Sequence, residues 1–250
     1  MQKYKADMHI HSCYSFDSTM PLKDIIDTAE RHGLSHIALV DHIEFSNQPV
    51  KEVLTRIRTR NQEIDELKNY SNVKVIKGIE VSEPHLFKEE VKHLEEIEDL
   101  DYILGSIHHI LGMPIKKMKT FKNAYDLYLT SMLHMVEEAN IDTLAHLDYL
   151  KRHINNGEFN KKILEEILKI IIERQITLEI NTSGYRRCGE YFPSNEILEM
   201  YKALGGKNIV MGSDAHQLSE IYDILPQTEE SIKEYNLTKG IIQKRRFRTF

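Results

Sequence analysis

The stretch DMHIHSCYSFDS, residues 7–18, puts two histidines one position apart in an apolar run, with an aspartate six residues beyond the second. In an extended chain residues i and i+2 share a side. His9 and His11 can therefore face one way and Ile10 the other. A strand that gives two positions of one face to imidazoles must find partners for them, because unpaired buried polar groups are costly.

The rest of the chain repeats the pattern. Short apolar runs occupy residues 5–11, 35–42, 73–80, 101–109, 142–147, 176–183 and 208–216. Helical periodicities separate them. MPLKDIIDTAERHG has Pro21 near its start and Gly33 at its end, the usual helix punctuation. VKEVLTRIRTRNQEIDELKNY, KNAYDLYLTSMLHMVEEAN, NKKILEEILKIIIERQ and PSNEILEMYKALGG follow. This alternation predicts an α/β fold with seven mostly parallel strands and helical crossovers. Polar residues crowd the downstream strand ends, which favours a closed or nearly closed barrel. No linker rich in Pro, Gly or Ser divides the chain, so one domain over residues 1–250 is expected, a normal length for an α/β barrel.

Bulk properties exclude several classes. The net charge is −6 and the pI about 6.1, without the basic footprint of a nucleic-acid binder. The basic end QKRRFRTF (243–250) is expected to be a solvated terminal segment. Two cysteines, Cys13 and Cys188, make neither a disulfide framework nor a thiolate zinc site. MQKYKADM lacks an apolar leader core, and no run approaches the ~18 apolar residues of a membrane span. A cytoplasmic protein with neither membrane nor nucleic-acid partners is expected.

Of 13 histidines, His9, His11, His42, His108, His146 and His216 fall at the downstream ends of the runs, as do Asp41, Glu80 and Asp214. In an α/β barrel these ends form one face. With Asp17, nine metal-ligand candidates result: His9, His11, Asp17, His42, Glu80, His108, His146, Asp214 and His216. One catalytic metal takes about three or four protein ligands, so this set fits two or three divalent ions with a bridging carboxylate. Imidazole and carboxylate suit Zn, Mn or Fe. Such clusters suit phosphoester hydrolysis.

Other positions carry weaker signals. Asp41 and Asp148 could brace ligand histidines, or simply end their strands. Glu179 and Asn181 point inward, toward the barrel interior or a substrate. Cys13 is expected to be a small packed residue and Met132 and Met135 to lie in the core. His32, His36, His93, His134 and His153 are expected at surface or packing positions, and His85 in a loop on the metal-bearing face.

The ordered set HIHS…D, VDH, GIE, SIHH, AHLD and SDAH resembles the PHP (polymerase and histidinol phosphatase) superfamily over residues 7–216, and the chain length resembles its stand-alone histidinol-phosphatase branch. The resemblance implies a distorted (β/α)7 TIM-like barrel with a trinuclear centre at the C-terminal strand ends. One metal would take His9, His11, Glu80 and Asp214. A second would take Glu80, His108 and His146, and a third Asp17, His42 and His216. Many relatives carry histidine where this chain has Asp17. The implied activity is a phosphoric monoester hydrolase, histidinol-phosphatase, serving histidine biosynthesis through a metal-bridging hydroxide. Another PHP phosphoesterase acting on a nucleotide or sugar phosphate is the alternative. A non-catalytic PHP module and a barrel hydrolase of C–N bonds rank below both. Glu80, Asp214, His42 and Arg186 are the expected catalytic residues. Arg152, Arg186, His42 and His109 are the expected contacts to the small phosphate ester, with Arg187 competing for the place of Arg186. A metal-bound water, His109 and Asp17 are the candidate proton donors, and the sequence does not choose among them.

Overall fold

Alternation inside the strands, and apolar spacing of three and four in the helices, set the architecture. The computed structural model describes residues 4–95, 97, 99–154 and 157–250; the first three residues of the N-terminal stretch lie outside it. Seven parallel strands follow one another: β1 (Ala6–Ile10), β2 (His36–Leu39), β3 (Lys74–Ser82), β4 (Tyr102–Ser106), β5 (Thr143–Leu144), β6 (Thr177–Asn181) and β7 (Asn208–Gly212). Each pairs with its successor in chain order. They coincide with the seven predicted runs. A short strand, His42–Ile43, prolongs the β2 edge and pairs with Glu80–Val81 of β3.

The helices are α1 (Leu22–Arg31), α2 (Val50–Leu67), α3 (Lys88–Glu95), α4 (Ala124–Glu138), α5 (Lys161–Glu173), α6 (Ser183–Cys188), α7 (Asn195–Ala203) and α8 (Leu225–Ser231). In α1 the buried residues Leu22, Ile25, Ile26 and Ala29 form one stripe, as do Leu164, Ile167, Leu168 and Ile171 in α5. These stripes cover the outward side chains of the strands. Met132 and Met135 of α4 are fully buried in that layer, as expected.

The two ends of the sheet meet at the upper rim. His11 N donates to Ala215 O at 3.0 Å, and Ala215 N donates to His9 O at 3.3 Å. Lower down the chain inserts a hairpin. β8 (Thr238–Gln243) runs parallel to β7, and β9 (Arg246–Thr249) runs antiparallel to β8. Tyr4 Oη donates to Gly240 O at 2.8 Å and ties the foot of β1 to β8. The ring is thus a distorted barrel.

This hairpin corrects the expectation of a solvated basic tail. Phe247 and Phe250 pack against the core while Arg246 and Arg248 stay exposed, the alternation of a one-faced edge strand. The turn is formed by Lys244 and Arg245, both at positive φ. Asp101 holds it, accepting from Lys244 N through Oδ1 at 3.0 Å, and Arg245 Nε reaches Asp142 Oδ2 at 2.6 Å.

One buried ion pair locks the upper rim. Asp41, after β2, accepts from Ser12 N at 2.6 Å and from Arg60 Nη1 at 2.9 Å. Arg60 reaches it from α2 and is 1% exposed. Asp41 therefore braces the loop after β1 rather than a ligand imidazole. Burial opposes its ionisation, but the Arg60 guanidinium holds its carboxyl below the usual carboxylate range. Asp41→Asn should cost about 3–5 kcal/mol in urea unfolding at neutral pH, because it strands a buried guanidinium. A lowered carboxyl stabilises the fold above its unfolded value of about 4, and the effect is lost on further acidification. The difference between wild type and variant should shrink there, and a gap of the same size at both pH values would contradict this role.

Candidate metal centre

The inward positions of the barrel strands deliver ionisable side chains to one point. Glu80, on β3, sits at the middle and is fully buried. Its Oε2 lies 3.5 Å from His9 Nε2 and 3.6 Å from His11 Nε2. Its Oε1 lies 3.1 Å from His146 Nε2 and 3.4 Å from His108 Nε2. Asp214 Oδ1 approaches the first pair from the other side, 3.6 Å from His9 Nε2 and 3.4 Å from His11 Nε2. Asp17, Oδ2 foremost, joins His42 Nε2 at 3.4 Å and His216 Nε2 at 3.1 Å. The structure brings together all nine candidate ligands.

The donors are oriented from behind. His9 Nδ1 meets Glu179 Oε1 at 2.5 Å, His11 Nδ1 meets Ser15 Oγ at 3.0 Å, and His108 Nδ1 meets Ser82 Oγ at 2.7 Å. Each ring is thereby fixed with Nε2 toward the centre, as in histidines that bind metals. Glu179 does more: its Oε2 accepts from His146 N at 2.8 Å and from Asn181 Nδ2 at 3.2 Å. Both inward residues of β6 are therefore interior braces. Gly212 of β7 makes room for this arrangement. A Cβ there would stand 2.4 Å from His9 Cβ and 2.8 Å from Glu179 Oε1.

The polar atoms fit a cation better than they fit each other. His9 Nε2 and His11 Nε2 face one another at 3.0 Å. Glu80 Oε2 and His42 Nδ1 are 2.9 Å apart and buried, yet neither makes a hydrogen bond. Buried orphans of this kind are rare. Burial opposes charge on His9, but Glu179, Asp214 and Glu80 hold its pKa well above the ordinary value. Burial and the His42 and His216 rings push His11 down to about 3. Despite burial, the surrounding imidazoles keep Glu80 and Asp214 well below the carboxylate range. Ionised carboxylates around a neutral imidazole form a donor set for Zn, Mn or Fe.

Above the cluster opens a cavity of ≈ 540 Å³. Arg152 lines it with its guanidinium 5.4 Å over the Tyr149 ring. Arg186 also lines it, but its nitrogens are engaged within the protein. Nη2 donates to Ser213 O at 2.7 Å and Asp214 O at 3.1 Å, while Nη1 and Nε face Asp223 at 3.3 Å and Glu220 at 3.4 Å. Asp214 has a left-handed backbone, φ +54, so these bonds hold a strained candidate ligand in place. Arg187, exposed on the same wall, has no hydrogen bond or ion pair among the described residues. His109 lines the cavity with Nδ1 3.4 Å from Glu83 Oε2.

Several lesser expectations change. Asp148 is buried but faces Lys151 and Ser194 rather than a ligand histidine. Cys13 is exposed rather than packed. His153, expected at a surface or packing position, lies on the cavity wall. Burial and the charges of Arg152, Lys119 and Lys116 push it down to about 4. His85 is buried beside α4 and is not on that wall. Ser15, Ser82 and Glu83 brace the site from loops or a strand end, positions that no spacing rule singles out.

A parallel barrel with an imidazole–carboxylate cluster at its C-terminal strand ends defines a metal-centred α/β-barrel protein. The chain belongs to the PHP domain family, whose profile matches residues 7–183. It is 31% identical to a Clostridium acetobutylicum protein named probable histidinol-phosphatase, over 96% of this chain and 97% of the relative. A Thermotoga maritima protein of the same name is 30% identical over 92% of each. The crystal structure of Lactococcus lactis histidinol phosphate phosphatase, complexed with Zn, L-histidinol and phosphate, superposes with a TM-score of 0.83 at 26% identity, covering 98% of this chain and 99% of that one. A Listeria monocytogenes structure at 19% identity shares the fold, with a TM-score of 0.70. Family and donor set together indicate a divalent-metal site. Among the described residues no helix is long and apolar enough to cross a membrane.

Glu179→Gln keeps the shape of the brace but removes the carboxylate behind His9. Metal affinity, read by competition with a chelator, should fall about 10–100-fold. An unchanged affinity would remove Glu179 from the metal-orienting role.

Proposed function

We propose that this chain is a phosphomonoesterase that hydrolyses L-histidinol phosphate to L-histidinol and phosphate, a cytoplasmic step of histidine biosynthesis carried out by one domain spanning residues 1–250. The observation that carries this reading is Glu80, a buried carboxylate whose two oxygens face different histidine sets. The relatives named for this activity over nearly the full chain support the substrate.

Two or three divalent ions, Zn, Mn or Fe, would be held by the residues that converge. His9, His11, Glu80 and Asp214 form one set, Glu80, His108 and His146 a second, and Asp17, His42 and His216 a third. When bound, such ions acidify water for attack on phosphorus and offset charge on the phosphoryl oxygens. The chain's own residues do the rest. Among the described residues, Arg152 and Arg187 are the cavity-wall guanidiniums without an ion pair, suited to bidentate contact with phosphate. Burial first, and then the positive charges of Arg152, Lys119 and Lys116, depress His153 nearby, so this wall carries positive charge. Arg186 acts through Asp214, whose carbonyl it binds, rather than through the phosphate. Glu83 fixes the His109 ring beside the cavity, where it can supply a proton to the departing alcohol.

Phosphate release from L-histidinol phosphate, with Mn, Zn and Fe supplied in parallel, tests the proposal. Preference for that ester over p-nitrophenyl phosphate and a nucleoside monophosphate is expected. Turnover of the other esters alone would move the chain to a different small phosphate. His9→Ala and Asp214→Ala should each lower kcat by roughly three orders of magnitude and reduce bound metal. Arg187→Ala should mainly raise KM, whereas Arg186→Met should reduce metal content. The reverse pattern would exchange the roles of the two arginines.

A further inference from the structure

The cavity wall holds one carboxylate that neither the metal centre nor the fold uses. Four acidic residues line the cavity: Asp17, Glu44, Asp214 and Glu220. Asp17 and Asp214 face the ligand histidines. Glu220 faces Arg186 and accepts from His216 N at 2.8 Å and Gln217 N at 3.2 Å. Glu44 has no comparable partner. Its Oε2 takes a long bond from Asn47 Nδ2 at 3.4 Å. Its Oε1 stands 3.9 Å from His108 Nδ1, and that nitrogen is already engaged by Ser82 Oγ at 2.7 Å. Glu44 is nonetheless only 8% exposed.

A carboxylate withdrawn from water without a cation is costly. The sequence nevertheless places Glu44 two positions past His42, and both line the cavity. The residue opens onto this cavity, from which a positive group could reach it. Across His42 lies Phe16, 60% exposed, its ring stacked on the imidazole at 5.1 Å between centroids and lining the same cavity. The opposite character, with Arg152, Arg187 and Lys116, is also found on the cavity wall. The cavity therefore offers cationic groups for a phosphate, and on its lining also an anion and an exposed aromatic ring.

We propose that Glu44 is a specificity-determining residue: it binds a cationic nitrogen in the alcohol half of the phosphate ester, with the exposed Phe16 ring as a flat surface lining the same cavity. The inference rests on the phosphomonoesterase reading and deepens it. A substrate whose alcohol half is an amine or an imidazolium satisfies the stranded carboxylate, and a neutral alcohol leaves it stranded. Discrimination thus arises from the penalty on the wrong ligand as much as from attraction to the right one.

Two measurements on the full chain test this, each in wild type, Glu44→Gln and Glu44→Asp. The first is calorimetric binding of L-histidinol, which needs no turnover. The second is the ratio of kcat/KM for L-histidinol phosphate to that for ethyl phosphate. Glu44→Gln should weaken L-histidinol binding and lower the ratio, each about tenfold or more, the scale of one lost charge-assisted contact. Glu44→Asp, which keeps the charge, should restore most of both. Wild-type binding of L-histidinol by Glu44→Gln, with an unchanged ratio, overturns the assignment. Equal loss in both variants overturns it too, since the charge would not matter. A wild-type protein that hydrolyses no phosphate ester would refute the phosphatase reading, while the binding arm would still decide Glu44.

Discussion

The burial of the Glu80 carboxylate is the constraint on which the rest depends. A carboxylate at 0% exposure is tolerated only if positive charge surrounds it. Five histidines, His9, His11, His42, His108 and His146, come within 3.6 Å of its two oxygens. They arrive from four different places along the barrel. Imidazoles alone meet that demand badly, because those that stay neutral give little and those that charge repel one another. Cations held by Glu80 and these rings would meet it, and the two carboxylate oxygens face different histidine sets.

The barrel exists to make that convergence rigid. The strands rise in chain order, so residues distant in sequence end on one rim. The braces behind the ligands are themselves buried and cross-linked. Glu179 links His9 to the His146 backbone, Arg60 links α2 to the rim through Asp41, and Arg186 links α6 to the strained backbone of Asp214. The rim is thus preorganised without help from the substrate. Above it the cavity is lined by both cationic and anionic side chains, Arg152, Arg187 and Lys116 among the first and Glu44 among the second.

Much of this is legible in the sequence. The seven strands follow from the apolar runs, and eight of the nine converging donors from ionisable residues at their downstream ends; Asp17 stands beyond the first run. The HxH spacing gave the inward parity of β1, and parity also turned Glu179 and Asn181 inward. What parity could not supply was partners from other elements. Nothing near Asp41 announces Arg60, nineteen residues away on another element. Arg186 and Arg187 are neighbours on a short helix, so their sequence cannot say which one is consumed by Asp223 and Glu220. The β8–β9 hairpin was missed because its turn is Lys244–Arg245, held by Asp101, where Asn-Gly would have announced it. α3 was missed because KEEVKHLE is short and largely polar.

The most direct test of the account is anomalous X-ray scattering from crystals of the chain grown with zinc. The account predicts peaks on both sides of Glu80, one among His9, His11 and Asp214 and one against His108 and His146, with a third at Asp17, His42 and His216 when the site fills. A zinc-saturated crystal with no peak beside Glu80, and with His9 Nε2 still bonded to His11 Nε2, would contradict it.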